Sequence, residues 1–73
     1  MFKFDFSNKE TMQMVGKQVI ITFTDGNKIL GKVIGFTSAK NNNPEVASID
    51  IISKQFDACV SVFENEILTL EIN

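Results

Sequence analysis

For covalent or acid–base chemistry this chain offers one thiol, nine carboxylates and no imidazole. A cysteine attacks as its thiolate, and a histidine beside it is the usual base. With no histidine in the chain, Cys59, which opens an apolar strand, reads as a small packing residue or a strand-edge residue. Glu64 and Glu66 have the spacing of an acid–base pair, but they stand in a short polar turn where solubility explains them. Asp50 and Asp57 read as outward polar positions of a strand and a loop. A Cys/His zinc site cannot be built within one chain from a single cysteine. No metal, cofactor or catalytic residue is therefore expected, and the chain reads as a non-enzyme. Two groups could bind instead. Asn41, Asn42 and Asn43 could read a base edge or a peptide backbone, although asparagine serves turns equally well. Phe2, Phe4 and Phe6 could stack bases or anchor a peptide, but their expected role is to close one open end of a small core.

Charge narrows the partners. The net charge is −2, with seven basic residues, all lysine. Phosphate contacts supply most nucleic-acid affinity, and arginine's planar fork makes bidentate contacts that lysine cannot copy. RNA or DNA binding is disfavoured on both counts. The N-terminal residues alternate phenylalanine with charge and lack the apolar run of a signal peptide. No stretch approaches a membrane span, and with a lone thiol the cytoplasm is the expected compartment. A single domain over residues 1–73 buries only roughly 60% of its unfolded surface. Without disulfide or metal, self-association is the most accessible source of extra burial.

Spacing assigns the elements that would carry these residues. Ser7 and Glu10 have capping-box spacing and Gly16 stands where a helix ends, which predicts a short helix over residues 8–15 presenting Met12 and Val15 to a core. Val19, Ile21 and Phe23 share one face of a first strand. Asp25-Gly26 supplies a hairpin turn, and a second strand follows over Lys28–Thr37. Its apolar spacing lengthens from two to three between Val33 and Phe36, predicting a glycine-assisted bulge there that curls the strand, with Gly35 serving the bulge or a close strand approach. Residues 40–45 form a polar loop. Ala47, Ile49 and Ile51 alternate with outward Ser48 and Asp50 in a third strand. Val60 and Val62 face inward on a fourth, with Ser61 outward. Leu68, Leu70 and Ile72 alternate with Thr69 and Glu71 in a fifth. The fold class is mainly β, a five-stranded small barrel with a short N-terminal helix.

This pattern of short helix, Gly16, strand, Asp25-Gly26, strand curled at Gly31 and Gly35-Phe36, and later strands separated by a tight turn resembles the Sm-like superfamily of Sm, LSm and bacterial Hfq proteins. It covers roughly residues 8–73, and its SH3-like barrel is the fold the resemblance implies. The glycines and hydrophobic spacing from Val15 to Phe36 look like the first Sm motif, and residues 62–67 fit the length of the second. The resemblance implies that the fourth strand of one copy pairs with the fifth of the next in a ring. That places an interface on Val60, Ser61, Val62 and Phe63 against Ile67, Leu68, Thr69 and Leu70. It also implies that an RNA contact, where one is made, falls on Phe36, Lys40, Asn41, Asn42 and Asn43. The chain departs from the family there. Thr37 stands where Sm proteins usually have Asp, and Phe63-Glu64 where they have Arg-Gly, so carboxylates replace a cation. The expected function is thus a non-enzymatic, self-associating barrel module acting through protein contacts or weak RNA contact. An Hfq-like RNA-binding regulator and a monomeric peptide-binding adaptor using a strand edge are the alternatives.

Overall fold

The computed structural model describes residues 2–41, 45–55 and 57–73, with Asn41 described by its backbone alone. Five antiparallel strands form one sheet: β1 (Gln18–Phe23), β2 (Lys28–Thr37), β3 (Ser48–Ser53), β4 (Ala58–Phe63) and β5 (Ile67–Ile72), in the order β4-β3-β2-β1-β5. A single-turn helix, α1 (Lys9–Gln13), precedes them, and Ala39–Asn41 and Glu64–Glu66 are one-turn 3-10 segments.

The helix is shorter than its spacing predicts, and its cap is a different residue. Asn8 accepts from the Glu10 N–H at 2.9 Å, while the Ser7 hydroxyl turns back to the Asp5 carboxylate. With the first turn capped by Asn8, Thr11 faces inward and Met14 packs on the core, whereas Met12 and Val15 are exposed. The expected inward placement of Met12 and Val15 is therefore overturned. Gly16 has φ +91°, a conformation that suits glycine. Its N–H donates to Val33 O at 2.8 Å, tying the helix exit to β2.

The β1–β2 hairpin closes through Gly26, whose N–H donates to Phe23 O and whose φ is +93°. The Asp25 carboxylate holds the turn by accepting from the Asn27 N–H at 3.0 Å and its Nδ2 at 3.1 Å. Further along β2, Val33 faces Ile51 and Gly35 faces Asp50, leaving Ile34 as the extra residue of a bulge. The lengthened Val33–Phe36 spacing marks this bulge. The close-contact glycine is nevertheless Gly31 and not Gly35: a Cβ on Gly31 would lie 2.8 Å from Ile51 Cδ1, whereas one on Gly35 meets nothing within 4 Å.

Val19, Ile21, Ile29, Val33, Ile49, Ile51, Val62 and Ile67 form the core. Two strands bury faces that the sequence alternation does not mark. Ser48 and Ser53 are fully buried, and Ser53 Oγ accepts from the Gln55 N–H at 3.2 Å. On β5 a second bulge sets Phe23 opposite Ile67 and Thr22 opposite Thr69, with Leu68 extra. Ile67 therefore enters the core, while Leu68 is 58% and Ile72 54% exposed. An inserted residue resets strand alternation, and the apolar pattern of β5 alone carries no mark of it.

The connection between β4 and β5 forces the sheet to roll. In a flat sheet these edge strands would stand four spacings apart, roughly 19 Å. The 3-10 segment Glu64–Glu66 that joins them reaches at most about 14 Å even when extended. Curled as it is, the sheet is not closed, because β4 and β5 share no ladder.

Candidate interaction surfaces

Both segments expected to carry an interface lie on edges of the sheet. β4 pairs only with β3 and β5 only with β1, at opposite ends of the strand order. Hydrogen-bonded pairs recur at every second residue of an antiparallel ladder, so one bond fixes the direction of the others. The Glu64 N–H donates to Ala47 O; continuing that register, Val62 and Val60 bond inward to β3, and Ser61 and Cys59 turn N–H and C=O to the free edge. The Asn73 N–H donates to Gln18 O; by the same alternation Glu71 and Thr69 bond inward to β1, and Leu70 and Ile72 present theirs outward. At the end of β4 the Phe63 N–H is partly occupied, with Glu66 Oε1 at 3.4 Å.

The side chains of these strands divide differently. Val62 and Ile67 are core residues, Val60, Phe63 and Leu70 are half-buried, and Ser61, Leu68 and Thr69 are exposed. Ser61 is held on the outward face, its hydroxyl donating to Asp50 Oδ1 at 2.7 Å while Thr37 Oγ1 donates to Asp50 Oδ2 at 3.0 Å. Asp50 thus clasps β2, β3 and β4 together. The polar spacing of each strand is visible in sequence, but the register that brings the three side chains together is not. Cys59 is an exposed free thiol opposite Ile52 on β3, a strand-edge residue and not a packing one. Beside the β5 edge, Phe2, Met14, Leu70 and Ile72 line a groove of about 270 Å³. Between the β1–β2 turn and β4, Phe23, Asp25, Val60 and Glu66 border a depression of about 470 Å³.

Of the residues expected at an RNA contact, the structure describes the side chains of Phe36 and Lys40. Phe36 is half-buried, with the Phe4 ring 5.3 Å and the Phe6 ring 5.8 Å from it, both edge-on. Phe2 and Phe4 pack on the core as well, so the aromatic ladder covers this end of the sheet. Lys40 is exposed in the 3-10 segment Ala39–Asn41. Asn41 ends that segment, and Asn42 and Asn43 lie outside the described residues.

Glu64, read from sequence as a solvated turn residue, is half-buried and fastens the ladder: its Oε2 accepts from the Phe4 N–H at 3.0 Å. A contact between residues sixty apart leaves no local trace in sequence. At the other end of the ladder, the Asp5 carboxyl is held below its usual range by the Ser7 hydroxyl and then the Ser7 N–H, both donating to it. Among the described residues no cluster of three or more His, Cys, Asp or Glu could hold a metal ion, and no helix is long and apolar enough to cross a membrane. Set against protein-family models, curated proteins and solved structures, the chain matches none of them, so its functional reading rests on its own residues.

Proposed function

We propose that the chain is a non-enzymatic small-barrel module of Sm-like or SH3-like type that self-associates by pairing β4 of one copy with β5 of the next, acting through protein contacts made by that assembly. The observation that carries this reading is the strand order, which leaves the two candidate segments as opposite free edges of one curled sheet. Natural proteins blunt exposed edges with proline, inward charges or a covering element. β4 has neither proline nor charge and β5 a single charge, Glu71. Leu68 and Ile72 stand exposed on β5. Fully burying one such side chain stabilises by about 1.5–3 kcal/mol, and each ladder bond adds roughly 1 kcal/mol. Because the two edges differ, their pairing is head-to-tail and closes into a ring when the rotation permits. The lack of histidine, which leaves Cys59 without an imidazole partner, supports a non-catalytic role. Coverage of Phe36 by Phe4 and Phe6 favours protein contact over base stacking.

Amide hydrogen exchange tests the pairing directly. The outward amides of Ser61 and Leu70 are expected to be protected at concentrations where the chain assembles and to exchange rapidly on dilution. Rapid exchange of both at every concentration would contradict edge pairing.

A further inference from the structure

The face of the sheet turned away from the core carries a second surface, separate from both edges. Gln18, Leu30, Lys32, Ile52 and Lys54 line a depression of about 160 Å³. Leu30 also borders a neighbouring one of about 310 Å³ with Ile20, Lys28 and Gln55. Strand register sets these side chains together: Ile20 faces Leu30, and Lys32 faces Gln18 on one side and Ile52 on the other. Leu30 is 38% and Ile52 48% exposed. Among the described residues, no carboxylate lines either depression. Lys28 also borders the depression that holds Asp25 and Glu66, so Lys32 and Lys54 are the cations belonging to this groove alone.

We propose that this groove docks a short acidic segment of a partner protein, with apolar side chains set between its carboxylates. Lysine stems lie along apolar surface while the ammonium heads stay at the rim. An apolar side chain can therefore enter beside Leu30 and Ile52 while flanking carboxylates meet Lys32 and Lys54. The segment must be short because the positive charge is local. With three of the seven lysines here, four remain elsewhere against nine carboxylates. Charges beyond about 8 Å are screened at physiological salt, so a short peptide feels the lysines, whereas a long polyanion would run on to the acidic remainder. The site does not depend on edge pairing.

Titration of the isotope-labelled full chain with a six-residue peptide, leucine at every third position among glutamates, tests the assignment by amide chemical shifts. A lysine-for-glutamate peptide and a uridine oligonucleotide serve as comparison ligands. Shifts are expected at Gln18, Leu30, Lys32, Ile52 and Lys54 with the acidic peptide. The Lys32→Glu/Lys54→Glu variant is expected to weaken binding at least tenfold and turn preference toward the basic peptide. If charge reversal costs the dispersed spectrum, Lys32→Gln/Lys54→Gln is expected to weaken binding several-fold without reversing the preference. No response at those amides at millimolar peptide would overturn the proposal, as would equal response to the basic peptide. Tighter binding of the oligonucleotide there would make the face a nucleic-acid site instead. Concentration-dependent shifts of the same amides without ligand would assign it to a second copy.

Discussion

A Cβ on Gly31 would stand 2.8 Å from Ile51 Cδ1 and 3.0 Å from Ile52 O, and backbone cannot yield as a flexible side chain does. Gly31→Val is therefore expected to destabilise by about 1–3 kcal/mol, the usual cost of overpacking a filled interior. Gly35 faces open space and has no positive φ, so Gly35→Val is expected to change stability by no more than about 0.5 kcal/mol. Urea denaturation of the two variants checks the contrast, and equal losses would contradict it. Phe4 poses the other residue-scale question, because its ring meets Phe36 at 5.3 Å and its N–H is held by Glu64. A double-mutant cycle of Phe4→Ala with Phe36→Ala is expected to give a coupling of about 1 kcal/mol. Simple additivity would show that the N-terminal segment does not cover this end in solution.

Among the elements, β2 was the most legible in sequence and β5 the least. In β2 the change of apolar spacing from two to three is itself the mark of the bulge at Ile34, and glycine at 26 is what a left-handed turn position needs. In β5 the run Leu68, Leu70 and Ile72 alternates cleanly in sequence, yet the bulge at Leu68 inserts a residue that only pairing with β1 reveals. The helix cap failed for a related reason: Ser7 and Asn8 are both competent caps, and the Asp5 carboxylate draws Ser7 away. The interface segments were legible as strands, whereas their position on the sheet edges required the strand order. The ladder direction adds a prediction about proline, which removes a donor and adds a steric block. Thr69 bonds inward to β1, so Thr69→Pro is expected to unfold the domain or cost about 3 kcal/mol, read from circular dichroism on heating. Ser61 turns its N–H outward, and Ser61→Pro is expected to keep the wild-type spectrum. Equal damage from both would show that the ladder runs in the opposite phase.

At the scale of the whole molecule, a short connector rolls a five-stranded sheet until its edges approach without meeting. Each edge keeps backbone groups with no partner in the sheet, and β5 keeps exposed leucine and isoleucine. A small core gives such a chain good reason to complete its sheet with a second copy. Native mass spectrometry of the wild-type chain beside Ser61→Pro separates edge-paired assembly from a lone curled sheet. A closed multiple of the 8.2 kDa chain is expected for the wild type and a folded species of lower mass for Ser61→Pro. A wild-type monomer across a wide concentration range would contradict it, and the free edges would then be open to strand addition by a peptide.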